Sequence, residues 1–259
     1  MNQLDVYQQM AMDLRILGQP GDMGTTEIIN YGYQIDPHNP WFSLKERKLN
    51  VPFIMKELIW YMDGNMEAKW IGDHAKVWKS VLEHDGRAVS NYGHETFAKG
   101  GLGRAVEILS DEPMSRRAMV YFGNNEYVKH HTVTKDQPCA NSIHWMVRDG
   151  VLRTIVSQRS QDYIYGVSGD AVFMALITNL VAAALDVEMA PIDVQVASFH
   201  HYPRHEEMVR RLVHSDRYHI DWYGHQVSAG EASSLIYSHP VAKYGELMLW
   251  ITAEAEMDN

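Results

Sequence analysis

Between Ala171 and Leu185 the chain runs for 15 residues with Asn179 as its one strongly polar member and Asp170 directly before it. A membrane span needs roughly 20 apolar residues, and a helix that is apolar all round and does not span a bilayer has to be enclosed by the rest of its own chain. The run therefore predicts a buried core helix over Gly169–Val187, with the other segments layered around it. At 259 residues and 46% hydrophobic content the chain has the material for such layers. It contains no Pro/Ser-rich linker, low-complexity tract or internal repeat, so one domain over residues 1–259 is expected. The N-terminal stretch Met1–Leu14 carries acidic residues and no signal-type apolar core, so no targeting segment is expected either.

The surrounding pattern mixes helices and strands without a regular βαβ rhythm, which predicts an α+β class. Leu4–Leu17 has apolar residues at helical spacing and stops at Gly18 and Pro20. Thr25–Ile35 is rich in β-formers. Pro52 opens a second helix that ends at Gly64-Asn65, with Ile54, Leu58 and Met62 on one face and Phe53, Glu57 and Tyr61 on a neighbouring stripe. Ala118–Phe122 reads as a short strand, and Ile143–Val147, Asp149-Gly150 and Val151–Val156 as a hairpin. Val194–Tyr202 alternates as a strand with Ser198, His200 and Tyr202 on one face. A helical pattern resumes over Arg204–Val213.

Composition narrows the chemistry. The chain has one cysteine, 23 basic and 33 acidic side chains, and a net charge of -10. A single cysteine makes neither an internal disulfide nor a paired-thiolate zinc site, which points to a reducing cytoplasm. The negative balance excludes a coat on nucleic acid, so any phosphate must be held by a local basic cluster. Lys99–Gly103 matches no phosphate-loop fingerprint and is expected to be a turn before a helix starting near Arg104. Pro203 interrupts the His201/His205 spacing, and His205-Glu206-Glu207 is followed by Met208-Val209 instead of a second histidine. The helical zinc motif therefore fails, and no metal is expected.

Cys139 follows Pro138 in the polar stretch Lys135–Asn141, directly before a strand, which is not the setting of a core filler. Past the hairpin comes Gln158-Arg159-Ser160-Gln161-Asp162. A hairpin returns the chain to its start, so Arg159 is expected beside the thiol and is expected to lower its pKa, as nucleophilic cysteines require. Taken singly, the other polar positions have plain readings: Arg116-Arg117 as a solvated pair, Glu57 as a cap or ion-pair partner, Trp78 as core, His200 as a strand histidine.

Taken in order, these residues resemble a family. Pro138-Cys139, Gln158-Arg159-Ser160-x-Asp162, Gly166, the polar residue at 170 opening an apolar helix, and His200-x-Tyr202 resemble the thymidylate synthase and deoxycytidylate hydroxymethylase superfamily. Glu57 in Lys56–Trp60, Trp78, Asn91-Tyr92-Gly93 and Ser115-Arg116-Arg117 fall in family order upstream, so the likeness runs from about Gly24 to His205. It implies a thymidylate synthase-like mixed sheet with a long buried core helix. It also implies a cytoplasmic homodimer, in host cytoplasm if phage-encoded, acting on a pyrimidine nucleoside monophosphate with 5,10-methylenetetrahydrofolate, and needing no metal, nucleic acid or membrane.

Residue roles follow from the same resemblance. Cys139 adds to carbon 6 of the pyrimidine. Arg159 and Ser160 hold the 5′-phosphate, joined by Arg116 and Arg117 lent across the dimer interface. His200 and Tyr202 hold the sugar 3′-hydroxyl. Glu57 and Tyr92 organise water and protons, while Trp78, Asp162 and Gly166 line the folate side, Asp162 also bordering the nucleotide.

Asp170 is the discriminating position. Thymidylate synthases carry an asparagine there, accepting from uracil N3–H and donating to O4; cytosine reverses both polarities, and a carboxyl that shares a proton can answer it. The resemblance is therefore closest to the hydroxymethylase branch, with Ala140 and Ser198 departing from the synthase pattern in the same direction. An N-cap is the plain reading of an aspartate that opens a helix. CMP hydroxymethylation, dCMP methylation, a dUMP-acting synthase or hydroxymethylase, and a nucleotide-binding homologue without catalysis remain as alternatives, and the sugar is left open.

Overall fold

A computed structural model describes residues 3–81, 83, 85–123, 136–216, 218–238 and 246–257. Lys135, in the polar stretch before Cys139, lies outside them. The elements that position the site are α1 (Gln3–Leu17), β1 (Gln19–Pro20), β2 (Thr26–Ile35), α2 (Val51–Asp63), α3 (Lys69–His74), α4 (Lys76–Val81), α5 (Gly101–Asp111), β3 (Met119–Tyr121), β4 (Ala140–Arg148), β5 (Val151–Asp162), the core helix Gly166–Leu185 and β6 (Glu188–His201). Helices Glu206–Leu212, Ala229–Tyr237 and Glu246–Glu256 follow.

One six-stranded sheet, in the order β1-β2-β6-β5-β4-β3, carries the fold. Only β5 and β6 run parallel; all other neighbours are antiparallel. Parallel neighbours need a long crossover, and here the crossover is the core helix. It lies on β5 and β6 and is covered from the other side by α2, α5 and Ala229–Tyr237. Ala171 through Ile177 are each 0% exposed, which makes the run interior packing and not a membrane span. The mixed α+β expectation holds.

Local signals account for most boundaries. Asn50 Oδ1 accepts from the Phe53 N–H at 2.9 Å and Gly64 closes α2 at φ 63°, so side-chain cap and left-handed glycine bracket the helix. Asp149 (φ 54°) and Gly150 (φ 75°) make the two-residue hairpin turn with both central residues left-handed. α5 starts at Gly101, three residues before Arg104, because Gly100 takes a positive φ of 65° and turns the chain there. β6 begins at Glu188, six residues before the alternation becomes legible, because Pro191 sits where the register against β5 shifts between Leu152 and Thr154. A proline is tolerated in a central strand at such an irregularity.

Two boundaries bear on the site. The core helix starts at Gly166, not Gly169, so Asp170 lies inside it and Tyr165 takes the N-cap place. The capping reading of Asp170 is thereby removed. β6 ends at His201, which leaves Tyr202 just beyond the strand instead of on its face with His200, although the two rings still meet edge-on at 5.4 Å.

Candidate active site

Cys139 and Arg159 come together as the hairpin requires. The Arg159 N–H donates to Cys139 O at 2.9 Å, its Nε donates to Pro138 O at 2.9 Å, and its Nη2 donates to Gln137 O at 2.8 Å. The guanidinium thus ties down the segment that carries the thiol, and its Nη2 lies 3.9 Å from Cys139 Sγ. The same segment is anchored upstream by buried Asp136, whose Oδ2 accepts from both the Ser90 N–H and the Ser90 hydroxyl at 2.8 Å. The register between β4 and β5 shifts between Ala140 and Ser142, a bulge of the kind that re-aims side chains at the end of a ladder.

The expected lowering of the thiol pKa is outweighed. Burial pushes Cys139 up to about 11; Arg159 pulls it down, while Asp170, Asp136 and Asp162 add to the rise. The desolvation of an anion at this depth exceeds the attraction of one neighbouring cation. At neutral pH the sulfur keeps its proton.

Glu57 projects from α2 toward the same space. Trp78 Nε1 donates to Glu57 Oε1 at 2.8 Å, and a Cβ added at Gly169 would sit 3.2 Å from Glu57 Oε2, so the carboxyl lies against the turn of the core helix that carries Asp170. Burial raises its pKa to about 8, the Trp78 hydrogen bond opposing and Asp170 reinforcing the rise. Trp78 is 9% exposed and packs edge-on against Trp60 at 4.6 Å, so the indole is both core and carboxylate holder. Tyr92 reaches the residue after the cysteine: the Ala140 N–H donates to Tyr92 Oη at 3.2 Å. Gly93 makes that approach possible, since a Cβ there would fall 1.5 Å from Tyr61 O. Tyr61 and Tyr92 stack with centroids 5.5 Å apart.

Asp170 is held by side chains to which the sequence assigned no role of their own. Its Oδ2 accepts from Gln158 Nε2 at 3.3 Å and from Gln161 Nε2 at 3.0 Å, and Tyr33 Oη donates to Gln161 Oε1 at 2.8 Å. Burial raises Asp170 to about 6, the two glutamine bonds limiting the rise. Strict alternation along β5 puts residues 158 and 161 on opposite faces. Ladder pairing with β4 ends at Gln158 while pairing with β6 continues to Asp162, and over this one-sided stretch both amides reach one oxygen. Gly166 lies beside them: an added Cβ would stand 3.3 Å from Gln161 Cγ and 3.8 Å from Asp170 Oδ2.

On the far side, Asp162 Oδ1 accepts from the Ile164 N–H at 2.7 Å and shapes the turn into the core helix. Asp162 pairs with His200, and Ser160 with Ser198, across the parallel β5–β6 ladder, so the four residues share one sheet end. His200 Nδ1 lies 3.3 Å from Ser198 O, and the Arg204 guanidinium stacks 4.4 Å over the Tyr202 ring. Arg116 and Arg117 are different. Both are exposed just before edge strand β3, and Arg117 Nη2 meets Glu112 Oε2 at 2.6 Å instead of any group of the thiol cluster. Among the described residues no three His, Cys, Asp or Glu side chains are grouped as a metal site.

A thiol beside a guanidinium, with two half-buried carboxyls that keep protons toward neutral pH, is a nucleophile and acid–base set of the kind used in covalent catalysis. Residues 13–222 match the family described as thymidylate synthase, and the chain belongs to that family. Its members are folate-dependent one-carbon transferases that act on pyrimidine nucleotides, take methylenetetrahydrofolate as cosubstrate and are typically dimeric. The chain is 24% identical to the thymidylate synthase of Francisella philomiragia subsp. philomiragia over 206 residues, covering 73% of this chain and 75% of that protein. It is 27% identical to the thymidylate synthase of Pseudomonas fluorescens, covering 72% and 74%.

Proposed function

We propose that the chain converts dCMP to 5-hydroxymethyl-dCMP with 5,10-methylenetetrahydrofolate and water, as a homodimer whose phosphate sites are completed across the interface. The observation that carries this reading is Asp170: a half-buried carboxyl, inside the helix and not capping it, close enough to Cys139 and Glu57 to act on both electrostatically. A carboxyl whose proton is held up to about 6 can accept from the cytosine 4-amino group and share a proton with N3. A uracil reader needs the opposite pattern, and mispaired buried donors and acceptors are strongly rejected.

The steps balance. Cys139 gives up its proton as sulfur adds to carbon 6, and carbon 5 attacks the methylene carbon of the opened folate iminium. The carbon 5 proton leaves, tetrahydrofolate departs, and water adds to the exocyclic methylene as the sulfur is expelled. Glu57, held protonated up to about pH 8 with Trp78 on one oxygen, is placed to move the protons of these steps. Arg159, Ser160, His200 and Tyr202 form the nucleotide side at one sheet end. The exposure of Arg116 and Arg117 suits donors that serve a neighbouring subunit. Asp162 and Gly166, at the turn into the core helix, and Trp78 border the folate side, and Tyr92 supports the segment after Cys139.

One observation favours a second reading, a nucleotide-binding homologue without catalysis: burial holds the Cys139 thiol up at about 11. The test incubates carbon-5-tritiated dCMP, CMP and dUMP with methylenetetrahydrofolate and follows tritium release and the folate product. Tritium from dCMP with tetrahydrofolate as product is expected. Release from dUMP but not dCMP overturns the cytosine assignment, and release from CMP in preference to dCMP moves the activity to the ribonucleotide. Dihydrofolate as product replaces hydroxymethylation by methylation; no release from any nucleotide leaves the binding homologue.

A further inference from the structure

Asp170 Oδ2 has two lone-pair directions, and the Gln158 and Gln161 amides, at 3.3 Å and 3.0 Å, take both. Gln161 is fixed at its other end by the Tyr33 hydroxyl, which donates to Oε1 at 2.8 Å. Tyr33 is 8% and Gln161 2% exposed, so water does not compete for either group. Burial keeps the Tyr33 phenol protonated well above the usual tyrosine range, so it always has a hydrogen to donate. A donor on Oε1 forces the amide to point its NH₂ at Asp170. Without that donor the amide is free to turn over and set a carbonyl oxygen against the carboxylate.

We propose that Tyr33 and Gln161 are specificity-determining positioning residues: Tyr33 orients the Gln161 amide, the amide closes Asp170 Oδ2, and Oδ1 meets the base with its proton toward N3 and a lone pair toward the 4-amino group. The proposal rests on the reading of Asp170 as the base reader and deepens it. With Oδ2 occupied, the Asp170 proton sits on Oδ1. As sulfur adds to carbon 6, electron density moves to N3, the N3 lone pair takes the Oδ1 proton, and the new carboxylate charge is met by the two N–H donors on Oδ2. When sulfur is expelled the proton returns. A single oxygen that switches from donor to acceptor suits cytosine, whose N3 accepts and whose protonated N3 donates.

Among the described residues, the titratable groups facing Asp170 are Glu57 and Tyr61 from α2, Tyr33 from β2, Tyr92 from the segment before α5, and Cys139 at the head of β4. None of them is a cation, so the two amides are the groups that hold the Asp170 proton affinity down.

The test measures kcat/KM for tritium release from dCMP against pH in the parent, Gln161→Met and Tyr33→Phe, together with the dCMP/dUMP ratio. It also follows the Asp170 carboxyl by infrared difference titration, with Asp170→Asn as the blank. Gln161→Met should move the Asp170 limb and the carboxyl titration upward by about one pH unit, the effect of one lost hydrogen bond to a charged group. Tyr33→Phe should move both the same way by less, with the base ratio falling in each. Unmoved titrations with an unchanged base ratio overturn the proposal. Should Gln161→Met lose its cooperative thermal transition, Tyr33→Phe, which deletes one oxygen, decides alone. If Asp170→Asn switches base preference while neither variant moves the titration, the relay fails and the base reader stands. If the parent releases no tritium from dCMP, the base-reader reading fails, and the infrared titration still reports on the relay.

Discussion

Arg159 holds Cys139 twice, by its backbone N–H on Cys139 O at 2.9 Å and by Nη2 at 3.9 Å from Sγ, yet the thiol remains at about 11 because burial outweighs the cation. Alkylation of the free protein by iodoacetamide should therefore be slow at pH 8 and climb about tenfold per pH unit until the thiol titrates. Arg159→Gln should slow it further, about tenfold at a given pH, since removing the cation raises the thiol pKa again. Labelling rates read by mass spectrometry check this. Fast labelling near neutral pH in the parent would contradict the balance of burial over charge.

Asp170→Asn exchanges a proton-sharing carboxyl for an amide of fixed polarity. The ratio of kcat/KM for cytosine over uracil nucleotides should fall on the order of 10²- to 10⁴-fold, two mispaired hydrogen bonds at roughly 1–3 kcal/mol each. Competition between dCMP and dUMP in one reaction gives the ratio directly. An unchanged preference would remove Asp170 from base recognition.

Glu57 carries a stability prediction with a definite sign. Its pKa rises from 4.5 to about 8 on folding, so between those values the folded state binds the proton that the unfolded chain has released. Stability from this group is complete below about pH 4.5 and is lost as pH rises toward 8. Glu57→Gln keeps an acceptor for the Trp78 N–H and has no charge to bury. Its Tm should exceed the parent's by a few °C, about 2–4, at pH 8, and the two should converge near pH 5. Its activity should be lost. Thermal unfolding at the two pH values checks the first, tritium release the second.

Arg116 and Arg117 are exposed, and among the described residues Arg117 pairs with its own Glu112. If they complete the neighbour's phosphate site, a double Arg116→Ala, Arg117→Ala chain and a Cys139→Ser chain should each be inactive alone. Unfolded together and refolded as mixed dimers, they should recover about a quarter of parent activity, because half of the dimers are mixed and one of the two sites in each is intact. No recovery in verified mixed dimers would place the arginines outside a shared site.

Much of the frame was legible in the chain. The apolar run before Leu185, the Pro52 opening and Gly64 stop of α2 and the Asp149-Gly150 turn act through neighbours in sequence, and each appears where local chemistry puts it. The hairpin also brought Arg159 to Cys139, as its return path demands. Tyr33 and Gln161 were invisible because they lie 128 positions apart, as were Ser90 and Asp136, 46 apart. No local pattern marks a polar pair that forms only when distant strands or loops pack together.

The order of residue types by itself determined the family likeness, the helical and strand segments, and which side chains have the chemistry for nucleophile, base reader and proton carrier. Only the tertiary structure decided their protonation: it gathered Cys139, Glu57 and Asp170, each half-buried, around one space, where loss of water favours each neutral form. It also decided that Asp170 stands one turn inside its helix, with one oxygen held by two glutamines. Proton affinity depends on what surrounds a group in space, and spacing along the chain does not record that.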